Sequence, residues 1–221
     1  MKIVLYIAVA LLTLQVPAQK TVSKEVAYKG QKIQVALGDV DKIVLEHTTV
    51  QKVMVTMTSY IENPIGLTLK ESNEYIYINS NKLALQTPEK VDKFCSEQPL
   101  FPTYKITIPD NAEVAIYYNN GDFVAEGFTG IVNLRLNSGT LDILNLQGSV
   151  AIELFSGNIN TTVSNSTIDI TTNRGKITSF IKAKKFLQTN TSLKGVYGKP
   201  IHKLHVRAIH ANITLRPTKT Q

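Results

Sequence analysis

Three histidines near the C-terminus are the first side chains whose type and spacing suggest chemistry. His202, His205 and His210 lie close enough in sequence to be zinc ligands. Strand alternation would turn them to different sides, no cysteine lies among them, and no carboxylate follows Asp169, so a fourth ligand is missing. We therefore expect surface histidines and no metal site.

Paired carboxylates are the second chemistry to test, because glycan-cleaving enzymes need an acid and a base or nucleophile a few ångströms apart. Glu153 and Asp169 fall at different positions of the repeat described below, and neither has an acidic neighbour one repeat away. The sequence also contains no nucleophile elbow, phosphate-binding glycine loop or His-Glu metalloprotease motif. We expect no catalytic residue and no cofactor; a carbohydrate-active enzyme with a site near residues 79–103 is the alternative.

Positive charge is concentrated at the C-terminal end. Eleven Lys and Arg residues occur from Arg174 onward with no acidic residue among them, whereas the preceding chain has 13 basic and 17 acidic residues, a net charge of −4. Such asymmetry can attract a polyanion. The candidate ligand-binding residues are Lys182, Lys184, Lys185, Lys194, Lys199, Lys203 and Arg207. No aromatic stacking platform accompanies these lysines, so nucleic acid is not an expected partner.

An 18-residue repeat must position these side chains. The glycines that keep this period are Gly121, Gly139, Gly157 and Gly175, with Gly130 and Gly148 midway. One apolar column with the same period is Val114, Val132, Val150, Ile168, Phe186 and Leu204. A fixed period with strand-like alternation predicts stacked β rungs, each with two strands and glycine at the corners. Arg135 should lie one rung below Glu153, as an opposite-charge pair.

The repeat has one irregular rung and no calcium signature. The fifth rung, Phe186 to Lys203, breaks the pattern; the phase returns at Leu204, and Ala211 takes the glycine position. A calcium-binding β-roll would keep an aspartate in its turns. The corresponding positions here are Asp122, Thr140, Asn158 and Lys176. We therefore expect a β-solenoid over residues 114–217 that binds no calcium.

The preceding region, residues 19–113, has short alternating strands without a fixed period, so the fold class is all-β. The predicted strands are 32–37, 42–46, 52–58, 67–70, 74–78 and 104–108. A long loop at 79–103 interrupts them and contains three prolines and the single cysteine, Cys95. A loop of this length is either functional or, as we favour, a plug for the end of the solenoid.

The N-terminus predicts an exported chain. Lys2, an apolar run from Ile3 to Leu14 and then Val16-Pro17-Ala18 follow the order of a secretory signal peptide, cleaved after Ala18. The run is shorter than the roughly 20 residues that a bilayer span needs, so we expect no transmembrane segment. A single cysteine cannot form an intramolecular disulfide. The expected location is the periplasm, the outer surface or the extracellular space.

Several motifs carry a family resemblance. A Tyr104–Pro109 strand and a Tyr118–Phe123 segment precede Ser-Gly-x-Leu/Ile corners at Ser138 and Ser156, with an Arg-Gly variant at Arg174. This pattern is similar to the "putative adhesin" domain family of the bacterial cell envelope, which is common in Bacteroidota. The resemblance covers about residues 32–217 and implies a β-solenoid (β-helix) of unknown function without catalytic residues.

From the resemblance and the charge pattern we expect a non-enzymatic, adhesin-like binding or scaffolding protein. Its expected partner is an anionic cell-surface glycan or an envelope protein, contacted through the basic C-terminal rungs. A purely structural envelope protein that associates with copies of itself is a further alternative.

Overall fold

The computed structural model describes residues 20–59, 66–80, 101–181 and 186–218. The predicted signal peptide, most of the 79–103 loop with Cys95, and Lys182, Lys184 and Lys185 lie outside the described residues. Within the described ranges the chain is all-β, and its sixteen strands form one mixed sheet. Those ranges contain no helix with the length and apolar character needed to cross a membrane.

The strands follow the alternating pattern of the sequence, with apolar side chains buried and polar ones outward. In chain order they are β1 (Lys20–Ala27), β2 (Lys32–Ala36), β3 (Lys42–Thr48), β4 (Lys52–Ser59), β5 (Leu67–Glu71), β6 (Tyr75–Ser80), β7 (Thr103–Pro109), β8 (Glu113–Asn120), β9 (Asp122–Glu126), β10 (Ile131–Leu146), β11 (Ser149–Val163), β12 (Ser166–Thr172), β13 (Ile177–Ser179), β14 (Leu187–Gln188), β15 (Ser192–Tyr197) and β16 (His202–Pro217). The predicted all-β solenoid is confirmed.

In the described part of the chain, seven parallel rungs make up the body of the solenoid. Along one side, the strands stack in the order β6, β2, β8, β10, β11, β16 and β12. Along the other side, the order is β7, β3, β9, the second halves of β10, β11 and β16, and then β13. Strands β10, β11 and β16 run through the corner and contribute to both sides, because a glycine or alanine at the corner lets the backbones stack closely.

The N-terminal strands belong to the same stack. Ile33 of β2 lies opposite Val114 of β8, and Ile43 of β3 lies opposite Phe123 of β9. Strands β6 and β7 add a further rung beyond β2 and β3. Residue 114 therefore marks where the 18-residue spacing begins, and the sheet continues across it without a break.

The rung order at the C-terminal end differs from the order of the sequence. Strand β16 lies between β11 and β12. Its residue Leu204 lies opposite Val150 of β11 on one side and opposite Ile168 of β12 on the other. The predicted column is therefore right for Leu204 and Ile168 but wrong in their order. Ala211 lies opposite Gly157, which confirms its place in the glycine column.

The predicted fifth rung is wrong, because its residues form a cap. Strand β15 runs antiparallel to β12, and the short β14 runs antiparallel to β15. Strands β4 and β5 run antiparallel to β7 and β6 at the opposite end, and β1 adds to β4. These antiparallel strands cover the outer edges of β6, β7 and β12, which a stack of rungs would otherwise expose.

Candidate functional site

Three charged side chains form an outward row in the middle of one solenoid face. Arg135 of β10, Glu153 of β11 and Arg207 of β16 lie opposite one another in register. Adjacent strands are about 4.8 Å apart, so positive, negative and positive charge alternate at that step. Nε of Arg135 lies 3.5 Å from Oε2 of Glu153, which confirms the predicted pair. We call these three residues the charged ridge.

A groove lies between the charged ridge and the corner of the rungs, and we call it the corner groove. Its volume is about 360 Å³, and Asn137, Phe155 and Ile209 line its outer wall. The side chains of Phe155 and Ile209 are 54% and 42% exposed. The Phe155 ring packs edge-on against the His210 ring at a centroid distance of 5.6 Å, which fixes the aromatic wall. Exposed apolar side chains beside fixed charges are typical of a binding site.

A second, smaller groove lies on the other side of the charged ridge, and we call it the flat groove. Its volume is about 170 Å³. The small side chain of Ala151 keeps the floor low, with Tyr117 at one end and His205 at the other. Both grooves share the three ridge residues, so a ligand in either groove would contact the same charges.

A carboxylate on the neighbouring rung holds Arg207 in place. Nη1 and Nη2 of Arg207 donate to Oδ1 and Oδ2 of Asp169 at 3.1 and 2.9 Å. Nζ of Lys194 and Nδ1 of His205 lie 3.5 and 3.6 Å from the same carboxylate. The hydrogen bonds from Arg207, together with the charges of Arg207, Lys194 and His205, lower the pKa of Asp169. Because Asp169 brings one negative charge to the two cations Arg207 and Lys194, this end of the face keeps a net positive charge.

The structure divides the seven predicted binding cations. Arg207 belongs to the charged ridge, whereas Lys194 lies in the cap and pairs with Asp169. Lys199 and Lys203 are exposed, and Lys203 lies two residues before His205 in β16. The other three cations, Lys182, Lys184 and Lys185, lie outside the described residues. A binding role for the seven stays a prediction.

Sequence reasoning missed the apolar wall of the corner groove. Phe155 occupies an outward column in which Asn137 is its neighbour one rung earlier. The sequence signal for this wall was the aromatic residue Phe155 in an outward column that is otherwise polar at Asn137. Ile209 could not be placed beside it, because the sequence order put β16 three rungs from β11.

The two candidate carboxylates do not lie on adjacent rungs. Glu153 lies on β11 and Asp169 on β12, with β16 between them. Arg207 lies opposite Glu153 and binds Asp169 through both terminal nitrogens. The three histidines are also separated: His205 contacts Asp169, His210 packs on Phe155, and His202 begins β16. Within the described ranges, no three metal-ligating side chains cluster.

Replacing Asp169 with Asn tests the ion-pair cluster. We expect a loss of about 1 kcal/mol in unfolding free energy at neutral pH, the upper end for a surface pair. Since the pKa of Asp169 is lowered in the folded state, its stabilising effect is present above the pKa of the unfolded chain and is lost as the pH falls through the folded-state pKa. The difference between wild type and variant should therefore shrink below about pH 4. Urea unfolding of both proteins, from neutral pH to below about pH 4, measures this difference in unfolding free energy.

The matched control is Glu46→Gln, which removes a surface pair with the single cation Lys105. It should change the unfolding free energy by less than about 0.5 kcal/mol. A difference for Asp169→Asn that stays constant down to acidic pH would contradict the account of the cluster.

Comparison with known proteins places this architecture in a family. A family model described as Toastrack DUF4097 matches residues 105–216, just over half of the chain. The chain belongs to the Toastrack DUF4097 family. The Toastrack match begins in β7 and ends in β16, so it contains the whole charged ridge and both grooves. The resemblance predicted from the corner motifs is confirmed.

Solved structures with a similar fold include a protein from Clostridium sporogenes ATCC 15579 described as a "putative cell adhesion protein". Its TM-score is 0.66 at 14% identity, and the match covers 90% of this Toastrack chain and 100% of that chain. A "putative adhesin" from Bacteroides fragilis NCTC 9343 matches with a TM-score of 0.32 and 12% identity over 91% of this chain and 98% of that one. At 14% identity, the Clostridium likeness shows the fold alone. No curated protein matches the sequence.

Proposed function

We propose that this Toastrack protein is an exported, non-enzymatic, adhesin-like binding module of the bacterial cell envelope, and that it holds an anionic glycan in the grooves beside the charged ridge. The observation that carries the proposal is the exposed pair Phe155 and Ile209 next to fixed charges on a rigid stack of strands. The predicted signal peptide and the description of the Clostridium relative as an adhesion protein support the envelope location.

The chemistry of the corner groove suits a sugar. One face of a pyranose ring consists of C–H groups and packs on an aromatic ring such as Phe155, while its hydroxyl groups bind polar side chains. Asn137 can donate hydrogen bonds to these hydroxyls and accept them, and the Glu153 carboxylate can accept them. Arg135 can bind a carboxylate with two parallel hydrogen bonds. Lys203 lies four residues before Arg207 in β16, and Lys199 precedes that strand; both are exposed and add long-range attraction for an anion.

The non-enzymatic part of the proposal rests on the state of the acidic groups. Glycan cleavage by the usual route needs two carboxyl groups that face the same bond, one of them able to donate a proton. Asp169 is held as a carboxylate by Arg207, and its pKa is lowered rather than raised. A carboxyl group in that state is a poor general acid. Binding without cleavage is the function that this arrangement supports best.

Glycan binding is tested with the Phe155→Ser/Ile209→Ser double variant. We expect the wild-type chain to bind at least one acidic glycan of a panel of neutral and acidic envelope oligosaccharides. Loss of the apolar wall should weaken that binding by about tenfold or more, since each buried side chain contributes over 1 kcal/mol. Isothermal titration calorimetry on the purified mature chain gives the dissociation constants.

The matched control is Val50→Ser, because Val50 is 52% exposed but lies in the turn between β3 and β4, away from the grooves. Val50→Ser should bind as the wild type does. Equal binding by the double variant, or no binding to any glycan, would overturn the proposal. A wild-type mass that rises with concentration and falls to the monomer in the double variant would instead assign this face to self-association.

A further inference from the structure

The grooves beside the charged ridge cross the strands, so they run along the axis of the solenoid. Their lining comes from β8, β10, β11 and β16, which are consecutive rungs of the stack. An elongated ligand that fits them must therefore step from rung to rung, about 4.8 Å at a time. The advance per residue of an extended, β-linked glycan is close to this step. The two spacings therefore match when one sugar residue lies on each rung.

From the charges along this path we infer that the ligand is a linear glycan in which acidic and neutral sugars alternate. The inference rests on the proposed function and specifies the substrate class of the same site. The ridge reads positive at Arg135, negative at Glu153 and positive at Arg207 on successive rungs. A glycan that places carboxylates at the two positive rungs and avoids a like charge at Glu153 is negative, neutral and negative at the same step.

The first positive rung has a charge that a ligand can reach. The Arg135 side chain is 70% exposed, and its contact with Glu153 is a single long one through Nε at 3.5 Å. The edge of the guanidinium that carries the two terminal nitrogens can thus bind a carboxylate in the bidentate manner.

The second positive rung is β16. Asp169 takes up the two terminal nitrogens of Arg207, but it is a single negative charge set against Arg207 and Lys194. Lys203, exposed on the same strand, adds a further cation. A second carboxylate, two rungs or roughly 10 Å from the first, therefore meets a positive field.

Glu153 discriminates among acidic glycans. It lies on the rung between the two positive ones, and its side chain is 66% exposed. A neutral sugar on this rung can donate hydroxyl hydrogen bonds to the Glu153 carboxylate. A polymer with a carboxylate on every sugar would place a like charge there, and such juxtaposition is how binding sites reject close analogues.

The test uses three linear probes of matched length: a hyaluronan decasaccharide, in which uronate and N-acetylated neutral sugars alternate, a decagalacturonate, with a carboxylate on every sugar, and a neutral chitooligosaccharide. We expect wild-type protein to bind the hyaluronan probe about tenfold more tightly than either of the others. Arg135→Gln should weaken hyaluronan binding by about tenfold and leave the affinity for the neutral probe unchanged. Glu153→Gln should tighten decagalacturonate binding and thereby reduce the difference in affinity between decagalacturonate and the hyaluronan probe.

Glu46→Gln is the matched control, because it makes the same change on the other side of the solenoid, where Glu46 pairs with Lys105. Thermal unfolding of each variant checks that the fold is intact. A preference for the fully acidic probe would overturn this inference and leave the proposed function standing. Equal binding of the three probes, or a preference for the neutral one, would overturn both this inference and the preference for anionic glycans in the proposed function. Failure of every probe and of the wider glycan panel would overturn both.

Discussion

Replacing Ile213 with Asp should destabilise the protein by more than about 4 kcal/mol, the range of the most damaging single substitutions. Ile213 is fully buried in β16, between Ile159 of β11 and Ile177 of β13. A carboxylate at this position has an apolar neighbour on both adjacent rungs, so its desolvation is uncompensated. Small domains have a total stability of about 5–15 kcal/mol, and the variant should be largely unfolded or melt far below the wild type.

The adjacent residue provides the control. Asn212 is exposed, and its Oδ1 accepts a hydrogen bond from the backbone N–H of Lys176 at 3.2 Å. An aspartate there keeps the acceptor and stays in water, so Asn212→Asp should change the unfolding free energy by less than about 0.5 kcal/mol. Urea unfolding followed by circular dichroism compares the two. Ile213→Asp with nearly wild-type stability would contradict the central position of β16.

The second large effect is expected at a corner glycine. Gly139 has φ +154°, and a Cβ atom built on it would lie 1.9 Å from the carbonyl oxygen of Gly121 on the preceding rung. The obstacle is backbone, which cannot rotate away as a side chain can. Gly139→Ala must therefore separate two rungs at the corner, and we expect it to cost about 3 kcal/mol or more.

Gly38→Ala is the matched control for this corner. A Cβ atom on Gly38 would have no heavy atom within 4 Å. Alanine there should be neutral or slightly stabilising, because it restricts the unfolded chain. Urea unfolding of both variants gives the comparison. Equal effects of the two alanines would show that close stacking at the corner does not limit the choice of residue.

The repeat explains why the architecture was predictable and the rung order was not. Ile168 and Leu204 are separated by two periods of 18 residues, so both have the right phase for the column that contains Val150. Phase determines which side chains point inward at a given place on a rung. It does not determine which rung lies next to which, because any segment of the right phase fits against β11. Strand β16 takes the place beside β11, and β12 lies beyond it.

The same ambiguity hid much of the candidate site. In sequence order, Asp169 and His205 would be two rungs apart, whereas they face each other on neighbouring strands. The Arg207–Asp169 pair and the Phe155–Ile209 wall depend on this insertion and could not be derived from spacing. The Arg135–Glu153 pair, one regular period apart, was predicted because β10 and β11 are neighbours both along the sequence and in the stack of rungs.

The N-terminal rungs were missed for a different reason. Ile33 and Ile76 face each other although they are 43 residues apart, a spacing unrelated to the 18-residue period. The antiparallel strands β4 and β5 intervene between these rungs and destroy the regular spacing. The strands themselves were predictable from alternation, but their membership of the stack depends on long-range pairing that alternation does not encode.

Chemical-shift mapping of the ¹⁵N-labelled mature chain with the hyaluronan decasaccharide tests the central claim most directly. If the grooves beside the charged ridge form the binding site, the perturbed amides should lie on β10, β11 and β16, around Arg135, Glu153, Phe155, Arg207 and Ile209. Perturbations confined to the C-terminal cap around Lys194 and Lys199, or to the N-terminal strands, would contradict the proposed site.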